Sequence, residues 1–427
     1  MQLKWVYGMD HLAYEMGNGE YRCFIVMLSQ AYFMNKNLWL LTFAQGMYLT
    51  NNVTFIAING LVGFMLAPLP WLATLPVMGY VIGSALSTTL VARTQKKWGR
   101  KRSFQIGLVV AGLSALLCAY AVLQRNFWLL NAATVIAGFY NANALLYRFT
   151  AAEIAGPTSK EKAVSWVLAG GVIGAVLGPN LANQTRDWLS VPFAGAYIAL
   201  ALVAVLAFVA ISLIRFQERA ASEAKETGRP LSEIMRQPLF IVCAVSASLS
   251  YGVMNLLMAA TPLAMEMCKL PFDQTVWVLE WHVIGMFAPG FFTGNLIRRW
   301  GVLWVMRIGV LLYIACIAIA LSGVTFTHFL IALFLLGVGW NFLFTSSTTL
   351  ALEAYRPEER DKAQGAINFF VFLTTALSAL SSGILITTQG WALLNWGSIA
   401  PLACIVLALI WLGAKGNVGL HKQSKIT

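Results

Sequence analysis

Two short polar stripes interrupt apolar stretches of this chain, and their residue types suit solute binding rather than bond-making chemistry. Each stripe places an asparagine four residues after a tyrosine and another polar side chain three residues before it, so its members share one helix face. Amides and phenols can hydrogen-bond a solute, or they can join neighbouring helices. We favour solute binding because the same spacing occurs twice. The stripes are Gln45, Tyr48 and Asn52, and Ser248, Tyr251 and Asn255.

A second set combines aromatic rings with amides in two other apolar stretches. Rings can stack on a flat conjugated solute while amides bond its polar edge. Aromatic residues in membrane helices also serve as packing or interface anchors, and that alternative stays open. The set predicts a site for a planar, polar solute. Its members are Tyr140, Asn141, Asn143, Tyr147, Trp340 and Asn341.

One acidic residue, Glu280, and one histidine, His282, lie well within an apolar stretch. They are two residues apart, about 200° around a helix, so they cannot point the same way. A carboxyl group inside a membrane is typical of proton pathways, so Glu280 is the candidate for proton coupling. The alternative is a structural carboxyl group paired with Arg307. His282 is predicted to donate a hydrogen bond to the solute or to serve the fold.

Signatures of other chemistry are missing from the sequence. No phosphate-binding loop of the Gly-x-x-x-x-Gly-Lys-Ser/Thr type occurs, and no Cys/His cluster has metal-ligand spacing. No paired carboxylates or Ser/His arrangement indicates an active site. We therefore expect no catalytic residue, no cofactor and no metal ion.

The elements that must position these side chains are membrane-spanning helices. The 427-residue chain is 59% hydrophobic and only 11% charged. Apolar stretches of about 20 residues are long enough to cross the hydrocarbon core as helices, and lipid excludes open strands. Twelve such stretches predict an all-α membrane protein with twelve spans. They cover approximately residues 37–58, 69–92, 103–123, 127–148, 162–184, 193–214, 238–264, 274–297, 302–323, 326–350, 363–387 and 391–414.

The distribution of basic residues predicts the orientation of these spans. Loops on one side contain only Arg125, Arg186 and Lys269, whereas most other Lys and Arg lie on the opposite side. Because basic loops stay in the cytoplasm, we expect both termini there. The same topology explains the net charge of +12 without a nucleic-acid partner.

The chain also repeats itself at a spacing of about 200 residues. Trp98-Gly99 recurs as Trp300-Gly301, and Tyr140-Asn141 recurs as Trp340-Asn341. Duplication predicts two pseudo-symmetric six-helix bundles that move against each other around a site at their interface. The predicted divisions are a poorly ordered N-terminal extension at 1–35, bundles at 36–214 and 238–414, a cytoplasmic linker at 215–237 and a cytoplasmic tail at 415–427.

Two basic loops carry a resemblance to a known family. Residues 96–102, Lys-Lys-Trp-Gly-Arg-Lys-Arg, and residues 294–301, Gly-Asn-Leu-Ile-Arg-Arg-Trp-Gly, resemble the Gly-x-Leu-x-Asp-Arg-x-Gly-Arg-Arg loop of the major facilitator superfamily. The acidic position departs from the pattern, being Lys96 and Arg298. The resemblance implies a role in gating or loop structure for Gly99, Arg100, Arg102, Gly294, Arg298, Arg299 and Gly301.

Residues 260–265 and 280–294 are similar to a bacterial branch of this superfamily that includes riboflavin importers. The resemblance implies a monomeric inner-membrane transporter working by alternating access, coupled to protons, that imports a vitamin-like planar solute such as riboflavin. Drug or metabolite efflux by proton antiport is the alternative, and residues 170–179, Gly-rich and ending in Gly-Pro, resemble an antiporter motif. A membrane enzyme or receptor is the remote alternative.

Overall fold

The computed structural model describes residues 36–155, 160–216 and 228–414, and all regular structure in these ranges is helical. The predictions for residues 1–35 and 415–427 lie outside the described residues. The first half contains α1 (Lys36–Leu66), a 3₁₀ turn (Pro70–Leu72), α2 (Leu75–Leu123), α3 (Phe127–Ala144), α4 (Tyr147–Ile154), α5 (Lys160–Gln184) and α6 (Ala194–Leu213). The second half contains α7 (Leu231–Met235), α8 (Pro238–Met267), α9 (Phe272–Phe287), α10 (Gly290–Trp300), α11 (Val302–Ser322), α12 (Phe326–Ala351), a 3₁₀ turn (Pro357–Glu359), α13 (Arg360–Thr388), α14 (Gly390–Gly397) and α15 (Ile399–Ala414).

Ten helical segments in the described ranges are long and apolar enough to cross a membrane. Two features of the chain explain why this number is lower than the twelve predicted spans. The segment containing α2 includes two predicted spans, and its backbone leaves the helical region at Gly99 with φ 76°. The predicted span at 274–297 is divided between α9 and α10, with Pro289 in the break, so neither piece is long enough alone. The prediction of an all-α membrane fold with twelve spans is confirmed.

The two basic loops have the same backbone geometry. Gly99 and Gly301 have φ values of 76° and 85°, and each follows a tryptophan at the end of a span. A positive φ disfavours residues that carry a side chain, so glycine is required at both positions where the chain reverses direction. The duplication seen in the sequence is therefore also present in the backbone of these two turns.

Helix α1 packs closely on α5 through the glycine-rich stretch of α5. A Cβ at Gly170 would lie 2.3 Å from the carbonyl oxygen of Thr42, and one at Gly174 would lie 2.5 Å from that of Gly46. Small residues at this spacing let two backbones touch. Close helix packing explains these glycines without reference to the direction of transport.

The two halves meet at the end of the molecule that carries the loops at 67–74, 185–193 and 268–271, which we name the closed end. The Thr74 hydroxyl donates to the carbonyl of Ala379 (2.6 Å) and accepts from the Gly383 amide (3.0 Å). Phe193 and Phe272 pack edge to face at 5.1 Å between ring centroids. The opposite end, which carries Gly99, Gly301 and the connection between the halves, we name the linker end.

An ion pair fixes the described part of the connection at the linker end. The Arg229 guanidinium donates to both carboxylate oxygens of Glu359, at 2.9 and 2.7 Å, and the Arg229 and Arg356 backbone amides donate to the same carboxylate. These four donors, led by the Arg229 side chain, hold the pKa of Glu359 well below its usual range. The connection thereby anchors to the turn before α13.

Candidate functional site

Five side chains from α1, α2 and α3 form a hydrogen-bonded network, which we name the N-half polar cluster: Tyr48, Asn52, Tyr80, Ser84 and Asn141. The oxygen of the Asn141 amide accepts from the Tyr48 hydroxyl (2.6 Å) and from the Asn52 amide (3.2 Å). The Asn141 amide nitrogen donates to the Ser84 hydroxyl (2.6 Å). The first polar stripe and the Tyr140-Asn141 pair therefore belong to one network.

Asn52 is the member of this cluster whose amide oxygen makes no hydrogen bond to a described residue. It is partly exposed, and its amide nitrogen also lies 3.4 Å from the Tyr80 hydroxyl. No hydrogen bond to its oxygen is formed by the described residues, so an acceptor faces the accessible side. Gln45, one turn before Tyr48, is buried, and Tyr140 packs edge to face on Tyr48 at 5.9 Å.

Four rings from α8, α9 and α12 form the C-half aromatic cluster: Tyr251, Phe287, Trp340 and Phe344. Trp340 stacks on Phe344 with 5.1 Å between centroids and 9° between planes, and Tyr251 packs edge to face on both. Phe287 lies 6.3 Å from Trp340. The indole nitrogen of Trp340 is buried and has no hydrogen-bond partner among the described residues. Flat apolar surface and one unused donor thus occur together.

The two clusters face each other across the interface between the halves. The hydroxyls of Tyr48 and Tyr80 lie within electrostatic range of the Tyr251 hydroxyl, and Phe287 packs against the core that contains Tyr48. Arg148 lies within the same range of Tyr48 and Tyr251. An arrangement of amides on one side and stacked rings on the other can hold a flat solute by its edge and its face.

Two predicted site residues bond to neighbouring helices of their own half. Asn143 accepts from the Ser103 hydroxyl (2.9 Å), which turns it toward the beginning of the third span. Asn255 donates to the Thr375 carbonyl (3.2 Å) and to the Ser378 hydroxyl (3.0 Å), which joins α8 to α13. Both amides are buried in these contacts.

Asn341 and His282 also have partners within the second half. The Asn341 amide donates to the Met286 carbonyl and accepts from the Thr293 hydroxyl, both at 2.7 Å, which bridges the break between α9 and α10. The His282 Nδ1 lies 2.6 Å from the Leu333 carbonyl, and its Nε2 is buried without a partner among the described residues. His282 therefore points into the contact between α9 and α12.

Glu280 joins the two halves. Its Oε2 accepts from the amide of Asn180 at 3.2 Å, and Asn180 belongs to α5 of the first half. Arg307, the alternative partner, is exposed and stacks over the ring of Trp304 at 5.1 Å instead. The carboxyl group thus lies at a contact that must change if the closed end opens.

The basic loop between the second and third spans is tied to α4. Arg100 donates to the Thr150 hydroxyl (2.9 Å) and forms an ion pair with Glu153 (2.6 Å). Arg102 is exposed and lines a groove of about 420 Å³ on the outer face together with Trp98.

The corresponding loop of the second half is more exposed. Arg298 donates to Asn295 within its own turn, and Arg299 is exposed. No atom of a described residue lies within 4 Å of where a Cβ of Gly294 would stand. Val302 stands where the first copy has Arg100, so the Arg100 contact with α4 has no counterpart at this position.

Sequence reasoning missed three residues that complete this region: Tyr80, Asn180 and Arg148. Tyr80 and Ser84 are four residues apart in the second span, which is a polar stripe of the kind found in the first. Arg148 follows Asn141 by seven residues and so shares its helix face, but its position at the end of a predicted span made it look like an ordinary loop charge. Within the described ranges, no group of three His, Cys, Asp or Glu side chains is placed to bind a metal ion.

Comparison with known proteins places these observations in a family. The model of the Major Facilitator Superfamily matches residues 38–279 and 243–425. The riboflavin transporter RfnT of Brucella anthropi is 35% identical over 89% of this chain and 96% of its own length. The uncharacterised transporter YdeG of Bacillus subtilis is 28% identical over 79% of this chain and 83% of its own length.

Solved structures share the fold at low identity. The nucleoside transporter NupG superposes with a TM-score of 0.71 at 14% identity, covering 89% of this chain and all of NupG. A bacterial homologue of the human lysosomal transporter Spinster, in an inward-facing and occupied conformation, gives a TM-score of 0.69 at 14% identity over 88% of this chain and 96% of its own.

Proposed function

Because the chain belongs to the major facilitator superfamily of membrane transporters, we propose that it imports riboflavin, or a closely similar planar solute, together with protons. It does so as a monomer in the bacterial inner membrane, by alternating access. The observation that carries this proposal is the pairing of the N-half polar cluster with the C-half aromatic cluster. The 35% identical riboflavin transporter supports the choice of solute.

The two clusters match the chemistry of a flavin ring. The fused rings stack between aromatic side chains, of which Trp340 and Tyr251 are the best placed. The polar edge of the ring, with its carbonyl and imide groups, bonds the free oxygen of Asn52 and the unused indole donor of Trp340. The Asn141 amide, whose groups are already occupied, holds Asn52 and Tyr48 in place.

The contact pattern supports an inward-facing state. The halves touch at the closed end, through Thr74, Phe193 and Phe272. The basic loops lie at the linker end, which the positive-inside rule places in the cytoplasm together with both termini. The closed end then faces the periplasm, and the solute site opens to the cytoplasm.

Proton coupling rests on the contact between Glu280 and Asn180. An ionised carboxylate is the stronger acceptor, so protonation weakens this contact between the halves. Loss of the bond favours opening of the closed end. Glu280 takes up a proton from the periplasm while the closed end is open, and the contact with Asn180 re-forms as this proton is lost to the cytoplasm, so the proton enters with the solute.

Uptake into proteoliposomes tests the proposal. Wild-type protein accumulates labelled riboflavin when the outside is acidic. Glu280→Gln, which keeps the size and the acceptor but cannot titrate, binds riboflavin and exchanges it without accumulation. Glu266→Gln is the matched control, because Glu266 is an exposed carboxylate at the end of α8.

Three results would contradict parts of this proposal. Accumulation by Glu280→Gln at the wild-type level removes the proton role of this residue. Absence of riboflavin transport by wild-type protein would exclude riboflavin as the solute. Proton-driven transport of the solute from the cytoplasmic to the periplasmic side would favour the efflux alternative.

A further inference from the structure

Arg148 is a cation at the interface of the two halves that has no ion-pair partner among the described residues. Among the described residues no carboxylate lies within 4.0 Å of it, since Glu153 pairs with Arg100. Its Nε is buried and makes no hydrogen bond to a described residue. Charge placed inside a membrane protein without compensation is costly, and such residues mark substrate pathways.

Arg148 is the second residue of helix α4, and the start of this helix is fixed by packing. Helix α4 starts at Tyr147, which is fully buried and packs edge to face on Phe104 at 4.9 Å. That contact fixes the beginning of α4 against its own half. The next residue, Arg148, is only partly buried, with its guanidinium carbon 4.9 Å from the Phe149 ring and its charge within range of Tyr48 and Tyr251.

The duplication shows that the fold itself does not need this charge. At the offset of 200 residues the second half carries Thr348, whose hydroxyl donates to the Phe344 carbonyl at 2.8 Å. A residue required to close a span would be expected in both halves. The cation instead makes the region asymmetric between the halves.

We propose that Arg148 binds an oxygen acceptor group of the transported solute at the linker-end side of the two clusters. A guanidinium only donates, so it suits an oxygen acceptor such as a carbonyl or a carboxylate. In the flavin that the proposed function assigns, on which this inference rests, the acceptor is one of the two ring carbonyl oxygens. The aromatic part of the solute then lies over the C-half aromatic cluster.

Riboflavin titration of the purified full-length transporter, followed by flavin fluorescence, tests the inference. Arg148→Gln and Arg148→Met should each raise the dissociation constant roughly 10- to 150-fold, as expected for loss of hydrogen bonds from a charged donor. Arg307→Met is the matched control, because Arg307 is an exposed arginine stacked on Trp304, and should bind as wild type does. Thermal unfolding of each variant verifies folding.

An affinity within threefold of wild type in either folded variant overturns the inference and leaves the proposed function intact. Misfolding of both variants also overturns it, since Arg148 would then serve the fold. If wild-type protein does not bind riboflavin, the proposed solute fails, and nicotinate, salicylate and riboflavin 5′-phosphate replace it in the same titration. Binding of one of these that is lost in Arg148→Gln supports the inference, whereas retained binding, or no binding of any, overturns it.

Discussion

Replacement of Asn180 by Leu removes a hydrogen bond between the two halves and should open the closed end. The Asn180 amide donates to Glu280 at 3.2 Å, and leucine has nearly the same size without a donor. A hydrogen bond to an ionised group contributes ~1.5–3 kcal/mol, so its loss shifts the balance between closed and open forms roughly 10- to 150-fold toward the open form.

Distance measurement by spin labelling detects this shift. Trp188 and Met267 are exposed residues at the closed end, one in each half, so cysteines placed there report separation of the halves. The exposed Cys268 and Cys404 are replaced by serine beforehand. In Asn180→Leu the longer-distance population should grow at neutral pH, and wild-type protein should approach the same distribution when Glu280 is protonated.

The matched control is Asn183→Leu, on the same helix, since the Asn183 side chain makes no hydrogen bond to a described residue. A distribution in Asn180→Leu that equals those of wild type and of Asn183→Leu would refute the reasoning. So would additive effects of Asn180→Leu and Glu280→Gln, because two partners of one bond should not act independently.

Three further predictions follow from other contacts. Asn52→Ala should raise the dissociation constant for riboflavin several-fold without loss of thermal stability. Asn255→Ala breaks buried contacts to α13 and should lower the melting temperature. Riboflavin titration and thermal unfolding of each variant distinguish these two effects. Gly138→Ala should destabilise the protein by ~1–3 kcal/mol, because its Cβ would lie 2.3 Å from a backbone nitrogen of α2, while Gly112→Ala, with its nearest neighbour at 4.0 Å, should be tolerated in the same unfolding assay. Because the pKa of Glu359 is lowered in the folded protein, its stabilising contribution is complete above about pH 4.5 and is lost as the pH falls toward its folded-state pKa. Acidification should therefore lower the melting temperature of wild-type protein more than that of Glu359→Gln.

The fold could be predicted from the sequence because lipid restricts the choices so strongly. Stretches of about 20 apolar residues must be helices, and the duplication pairs them into two sets of six. The structure departs from simple spans at two points, the turn at Gly99 and the break at Pro289. Both are positions where glycine or proline leaves a helical pattern, so the sequence indicated each of them without fixing its geometry.

The candidate site could be predicted only in part. Repetition of Tyr48 and Asn52 as Tyr251 and Asn255 predicts related positions in the two halves, and the hydrogen-bond partners of the two asparagines differ. Asn52 bonds within the polar cluster, while Asn255 bonds to α13. The residue types are the same in both halves, and the neighbouring helices supply different acceptors.

The sequence by itself determined which side chains are polar in a membrane and how they are spaced along each helix. Residues two positions apart lie on different faces of a helix, so Asn141 and Asn143 had to point in different directions, as did Glu280 and His282. Only the tertiary structure decided what each face meets. Asn141 joins Tyr48 in the N-half polar cluster and Glu280 meets Asn180 of the other half, while Asn143 and His282 contact other helices of their own half. The physical reason is that periodicity fixes relative directions within a helix, whereas the rotation of each helix depends on packing against all of its neighbours.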